Sequence, residues 1–278
     1  MKNPYSTPLV CLLVCVAALQ PLPLAAEQIA VAYAEGVVHG FLLLRTMDGN
    51  VIAVGDLTQS ARGDRVTNHV VFHFKDGSLR DETVVFSQRG NFRVLKNHLI
   101  QKGPAFKRSM EVSADTSTGQ VIVRYTEDDG KEKIITEHLD LPPDLANGIV
   151  FMLLKNIPAG VARTTVSMLV ATPKPRLVKL VITPAGEDPF LVGNVRHKAM
   201  HYVVKVEIGG AAGVVAPLVG KQPPDTHVWV LREGSPAFLK SEGPLDESGP
   251  IWRIELTTPT FPQNPSAKSP NPPKPSNH

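Results

Sequence analysis

The sequence predicts a mostly β protein, folded as a curved antiparallel meander of the half-barrel kind with one buried central helix. Three observations predict this fold. First, short apolar runs are separated by turn dipeptides. Second, one of these runs alternates apolar with polar residues. Third, one segment, if helical, has apolar residues on almost every side of the helix. The composition, 20% charged and 42% hydrophobic over 278 residues, is that of an ordinary globular protein.

Turns containing Gly separate the runs of the first half. Asp76-Gly77 and Asp129-Gly130 suit tight hairpins, because the central residues of such turns adopt a positive φ that Gly, Asn and Asp tolerate. Strands joined by turns this short are antiparallel neighbours, so a meander follows. The predicted strands of this half are residues 37–46, 51–57, 66–75, 79–88, 92–100, 120–127 and 131–138.

Alternation within residues 66–75 indicates a sheet with two unlike faces. Val66, Val70, Phe72 and Phe74 fall on one face, and mostly polar residues fall on the other. Because successive side chains of a strand point to opposite faces, one face of this sheet is expected to pack on a core and the other to meet water.

The segment 142–155 is predicted to be a helix of about three turns. Pro142 and Pro143 suit its first turn, and Asn156 and Pro158 mark its end. Its apolar residues lie almost all round the helix, which predicts burial rather than a surface position. We expect it to cover the open face of the curved sheet.

The second half returns to strands with looser spacing. Pro173, Pro175, Pro184 and Pro189 interrupt this half, as is typical of sheet edges and corners. The predicted strands are residues 164–171, 176–183, 200–208, 227–231 and 252–257.

The two ends of the chain are predicted to differ from its middle. Residues 1–26 have the pattern of a cleaved secretory signal, with Lys2 before an apolar core of residues 9–19 that is too short to span a bilayer. Residues 259–278 form a tail in which seven of twenty residues are proline, which predicts disorder. Residues 27–258 are expected to form one β-rich domain.

The compartment follows from the predicted signal. We expect a periplasmic or secreted protein with no membrane-spanning segment after cleavage. Both cysteines, Cys11 and Cys15, lie inside the signal, so the mature chain is expected to form no disulfide. The formal net charge of +3 does not indicate a polyanionic partner, and no nucleic-acid partner is predicted.

Catalytic and metal signatures are missing from the sequence. It contains no GxSxG, glycine-rich phosphate loop or HExxH motif, so we predict a protein that is not an enzyme and has no cofactor. His69 and His73 are four residues apart, as are His197 and His201. On a strand such residues lie about 13 Å apart, too far to share one metal ion, so no metal site is predicted.

A family resemblance rests on three groups of residues. They are Phe74-Lys75-Asp76-Gly77, the helix between Leu141 and Leu154, and a closing stretch of strands with Trp229 and Trp252. In this order the parts resemble uncharacterised exported bacterial proteins related to periplasmic lipoprotein carriers, over roughly residues 37–258. The resemblance implies a half-barrel with helical cover over an apolar concavity, in which the carriers bind acyl chains.

Two functions are therefore predicted. The first is binding of an apolar ligand, such as a lipid or acyl chain, in the concave face of the sheet. The residues expected to contact that ligand would equally serve a closed core, and they are Phe72, Phe74, Phe86, Phe151, Met152 and Trp229. The alternative is a structural or assembly factor of the cell envelope that holds a protein partner through strand edges or the proline-rich tail.

Overall fold

The computed structural model describes residues 28–127, 129–171, 174–192, 195–207, 223–246 and 249–257. The predicted signal and the proline-rich tail lie outside these residues. The first eight strands are β1 (Val38–Thr46), β2 (Val51–Arg62), β3 (Arg65–Phe74), β4 (Leu79–Ser87), β5 (Arg93–Lys102), β6 (Met110–Asp115), β7 (Gln120–Thr126) and β8 (Glu132–His138). They are followed by α1 (Val150–Asn156), β9 (Thr164–Val170), β10 (Arg176–Val192), β11 (Val195–Glu207), β12 (Thr226–Leu231), β13 (Ala237–Pro244) and β14 (Ile251–Thr257).

All fourteen of these strands belong to one curved, open, antiparallel sheet, which confirms the predicted fold class. The strands β1 to β8 follow one another across the sheet as a meander, and β14 to β9 do the same in the other half. Pairing of β1 with β14, with Leu44 opposite Ile254, joins the two halves. The sheet therefore has β8 and β9 as its two edges.

One face of the sheet, here called the inner face, carries the core. The larger hydrophobic cluster combines side chains of β3 to β7, of β9 to β12 and of the segment around α1, including Phe86, Ile149 and Leu154. A smaller cluster contains Phe72 and Trp252, and it joins the middle strands of the same sheet. Helix α1 thus packs against both halves of the sheet, as the apolar pattern of its sequence predicts.

The helix is shorter than predicted. Only seven residues, Val150–Asn156, are helical, although residues 142–155 were expected to be. Gly148 adopts a φ of +72°, which is unfavourable in a right-handed helix, and Leu145 pairs with Ser167 of β9 instead. Tertiary pairing to a sheet edge has therefore replaced the first turns of the predicted helix.

Several strands differ from the prediction: β2, β10 and β11 are longer than predicted, and β6 and β13 were not predicted. Strand β10 extends through Pro184 and Pro189 as far as Val192, and a bulge between Pro184 and Gly186 shifts its register to β11. A bulge tolerates a proline within a strand, because the hydrogen bonds between the two strands are interrupted at that position and the missing N–H of proline is not needed. In the described residues no helix is long and apolar enough to cross a membrane.

Candidate functional site

The predicted ligand-contacting residues divide between separate places. Phe72 and Phe74 belong to the smaller cluster, whereas Phe86 and Met152 belong to the larger one. All four are at most 8% exposed, so each is a core side chain in this structure. The inner face is filled by the chain itself at these positions.

Phe151 and Trp229 lie elsewhere. Phe151 on α1 is half-buried and stacks on Phe238 of β13, with ring centroids 4.3 Å apart. Trp229 lies on the outer face, because its neighbours Val228 and Val230 both point into the larger core cluster. The expectation that Trp229 contacts a ligand in the concavity is therefore corrected by the alternation of β12.

Polar side chains interrupt the apolar inner face on β3 to β5. Arg80 Nη2 donates to Glu82 Oε2 at 2.9 Å, and Asn97 Nδ2 donates to Glu82 Oε1 at 3.1 Å. Two buried atoms, Asn68 Oδ1 and Arg80 Nε, have no hydrogen-bond partner among the described residues. Buried polar atoms are normally hydrogen-bonded to protein or to ordered water, so these two atoms are exceptions.

The β9 edge of the sheet is covered by the segment that precedes α1. Ala146 N donates to Ser167 O at 2.8 Å, and Ser167 N donates to Asp144 O at 3.2 Å. The Asn147 side chain bonds both the N–H and the carbonyl of Leu169, at 2.8 and 2.9 Å. These bonds occupy backbone groups of β9 that a further strand would need.

Ser167 of β9 lies between the carboxylate of Asp144 and the ammonium group of Lys179, an arrangement that the sequence did not indicate. Lys179 Nζ donates to Ser167 Oγ at 2.8 Å, and the Ser167 hydroxyl donates to the Asp144 carboxylate at 2.9 Å. A serine nucleophile needs a neighbouring base that accepts its proton, and of these two groups only the Asp144 carboxylate accepts from Ser167. However, Ser167 is only 1% exposed, so its hydroxyl does not meet a substrate in this structure and instead holds the segment before α1.

The β8 edge, meaning the side of β8 that faces away from β7, is not paired with another strand among the described residues. Leu139 N bonds Gly119 O at 2.9 Å and Glu127 N bonds Lys131 O at 2.8 Å, so Lys131 and Leu139 direct their backbone groups toward the β7 side. Backbone direction alternates along a strand. The residues whose N–H and carbonyl groups point outward are therefore Glu132, Ile134, Thr136 and His138.

Side chains leave this edge accessible. Five of the seven residues of β8 are exposed, and Ile134 is 53% exposed. Lys174 reaches across to Glu137, with Nζ and Oε1 3.2 Å apart. A shallow depression at the end of the strand is lined by Thr118, Gln120, Thr136, Glu137 and His138.

The outer face of the second half carries an aromatic and charged cluster around Trp229. His201 stacks on Trp229 with ring centroids 4.4 Å apart, and Lys240 Nζ lies 3.9 Å from the indole centroid. Trp229 Nε1 donates to Asp188 Oδ2 at 2.7 Å. His201 Nε2 and His227 Nδ1 lie 2.8 Å apart and form a hydrogen bond in which one of the two rings donates.

Burial and neighbouring charge shift the pKa values in this cluster. Burial first, and then His227, lower the pKa of His201. Burial alone would raise the pKa of Glu242, but hydrogen bonds and charges from Lys240 and Arg253 outweigh it and leave the pKa below its usual value. With Trp229 only 8% exposed, the cluster is a closed polar layer rather than an open pocket.

The histidines do not assemble a metal site in the described part of the chain. No group of three or more His, Cys, Asp or Glu side chains there could hold a metal ion. His69 Nε2 lies 2.9 Å from Asp81 Oδ1, and His98 Nε2 lies 2.9 Å from Glu111 Oε1. Both pairs lie on the outer face.

Comparisons with known proteins add one related architecture. No family model matches the sequence, and no curated protein matches it. The crystal structure of a β-barrel-like protein of a domain of unknown function (DUF1849) from Brucella abortus is similar to this chain, with a TM-score of 0.46 and 11% sequence identity, over 81% of this chain and 98% of that one. The strand order described above, rather than this likeness, defines the β-barrel-like fold, and the resemblance to lipoprotein carriers stays a prediction.

Proposed function

We propose that this protein is an exported, non-catalytic factor that binds a polypeptide partner by strand addition at the β8 edge. The observation that carries the proposal is the asymmetry of the two sheet edges. Backbone groups of β9 are bonded by residues 144–147, whereas the outward groups of β8 bond nothing among the described residues. Unpaired groups on an edge strand are a template for another strand.

The packing of the inner face supports a partner over a ligand in the concavity. Ile149 and Leu154 are fully buried against the sheet, so the chain's own segment occupies the place where an apolar ligand was expected. A ligand there would first have to displace α1. Strand addition at β8 requires no such rearrangement, because Ile134 and Thr136 are already exposed.

Site-specific crosslinking in the organism that produces the protein tests the proposal. A photoreactive residue in place of Ile134 should join to one defined partner. The matched control is the same residue in place of Val54, which is 55% exposed on β2 inside the sheet, compared with 53% for Ile134. Thr136→Pro, which removes an outward N–H but no bond to β7, should abolish the adduct at position 134.

Two results would count against partner binding at this edge. One is equal labelling at positions 134 and 54, which would mean that contact depends on exposure alone. The other is an adduct that survives Thr136→Pro, because strand addition needs the outward N–H of Thr136. Circular dichroism of the variant checks that the sheet is intact.

A second function, binding of an amphipathic lipid on the inner face, is favoured by the unpaired atoms Asn68 Oδ1 and Arg80 Nε. They lie on the same face as the rings of Phe72 and Phe86, which are buried in the core. An acyl chain would contact these rings only after the segment around α1 moved away, and Arg80 would then meet the polar head group. Mass spectrometry of organic extracts of the purified protein tests it. A stoichiometric lipid that is lost in Arg80→Met supports this function, and a protein without lipid in both forms excludes it.

A further inference from the structure

We infer that the β8 edge binds a second copy of this chain, as an antiparallel twofold pair with Ile135 of one copy opposite Ile135 of the other. The inference rests on the proposed function and names its partner. It is carried by two properties of β8, its backbone directions and its order of charges, and by the cover on β9.

The backbone directions of β8 fit a self-paired ladder. With Ile135 on the axis, Ile134 faces Thr136 of the other copy and Glu132 faces His138 of the other copy. All four of these residues direct N–H and carbonyl groups outward, so each facing pair forms two interchain hydrogen bonds. The pairing leaves the ladder between β7 and β8 unchanged.

Charges along β8 are self-complementary in the same arrangement. Lys133 faces Glu137 of the other copy, and the twofold axis repeats the pair. Ile135 points to the inner face, because it pairs with Val123, which is in the core. Lys133 and Glu137 are each two residues from Ile135, so their side chains lie on the same face. Opposite charges directly across an antiparallel pair stabilise it, and like charges destabilise it.

Other registers lose this match. When the strands shift by two residues, Ile135 faces either Lys133 or Glu137, and Lys133 no longer faces Glu137. In the register centred on Ile134, Lys131 faces Glu137 instead, but Lys133 then lies opposite apolar Ile135. When they shift by one residue, inner-face side chains would face outer-face ones, which a twofold axis perpendicular to the sheet does not allow. The register centred on Ile135 is favoured because it pairs Lys133 with Glu137 and leaves no charged side chain of β8 opposite Ile135.

The cover on the other edge explains why the assembly stops at two copies. An exposed edge on both sides of a sheet would allow open-ended growth. Residues 144–147 bond β9, so the described part of each copy has one uncovered edge, β8, and the twofold pair occupies it.

Sedimentation equilibrium of the mature chain, residues 27–278, over a concentration series tests the inference. The wild type should show a monomer–dimer equilibrium. Lys133→Glu and Glu137→Lys each place like charges opposite each other twice, and each should raise the dissociation constant about tenfold or more. The double variant with both substitutions should return to within about threefold of wild type, because the pairs are restored with reversed sign.

The charge swap separates pairing between copies from effects within one copy. Within a copy, Lys133 pairs with Glu127 and Glu137 pairs with Lys174, and the swap restores neither pair. Recovery of the dimer therefore requires contact between copies. Lys131→Glu is the matched control, since Lys131 faces uncharged Leu139 in this register, and it should leave the constant unchanged.

Two outcomes would overturn the inference. A chain that is monomeric at all concentrations refutes it, and so does a dimer that the charge variants and Thr136→Pro leave unchanged. Crosslinking at position 134 then decides the proposed function separately. An adduct with a different protein, lost in Thr136→Pro, leaves partner binding at β8 standing, whereas no adduct removes both.

Discussion

Lys155 on α1 forms an ion pair with Glu35, in the segment before β1, with Nζ and Oε1 2.5 Å apart. The side chains are 16% and 7% exposed, and Gln59 Nε2 donates to the second carboxylate oxygen at 3.0 Å. Asn156 adds a neighbouring link, because its Oδ1 accepts from Ala32 N and Tyr33 N. The end of α1 is thus attached to the N-terminal segment by buried polar contacts.

Removing the cation of this pair should destabilise the fold. Lys155→Ala leaves the Glu35 carboxylate buried without its counter-charge, so we expect a loss of about 3 kcal/mol in the free energy of unfolding. Urea unfolding followed by tryptophan fluorescence measures it. The double variant Glu35→Gln/Lys155→Met should lose less unfolding free energy than Lys155→Ala, because it leaves no buried charge without a partner. A larger loss in the double variant would contradict the account.

Gly148 provides a test of how closely the segment before α1 packs on β4. Its φ is +72°, and an added Cβ would lie 2.9 Å from Val84 Cβ. Gly160 has a similar φ of +82° but open space around the same atom. Gly148→Ala should therefore cost about 2 kcal/mol more than Gly160→Ala, which carries only the backbone penalty. Both losses are measured as the free energy of unfolding in urea. Equal losses in the two variants would mean that the segment does not pack closely against β4.

The cluster around Trp229 should make stability depend on pH. The pKa of His201 is lowered in the folded protein, so the unfolded chain binds more protons on this group. The contribution of His201 to the free energy of unfolding is therefore fully present above the pKa of the unfolded chain, about 6.5. It is lost as the pH falls toward the lower pKa of the folded protein. Stability of wild type should therefore fall between pH 7.5 and 5.5 more steeply than that of His201→Phe, which keeps a ring on Trp229. The measurement is the free energy of unfolding in urea at each pH. The same dependence on pH in wild type and in His201→Phe would contradict this prediction.

Local patterns were enough to predict most of the sheet. Dipeptides such as Asp76-Gly77 locate the hairpins, and the alternation around Phe72 separates the two faces, because both signals lie within a few residues. The buried apolar segment around Leu154 was also predicted as a helix, although pairing of Leu145 with Ser167 removed its first turns.

The candidate site depended on contacts that local patterns do not contain. Pairing of β1 with β14 decides that β8 and β9 become the edges, and it joins residues about as far apart as the described chain allows. The cover on β9 comes from residues 144–147, which were expected to be helical. Trp229 was assigned to the wrong face because the sequence of β12 is apolar on both sides.

Hydrogen exchange at the amides of β8 tests the central claim, an open edge that a second strand completes. In dilute protein, the amides of Ile134 and Thr136 should exchange fast while those of Lys133 and Ile135, which bond β7, are protected. At concentrations where the dimer forms, or with another bound partner, Ile134 and Thr136 should become protected too. Protection of these two amides at every concentration, or at none even with a partner bound, would contradict the account.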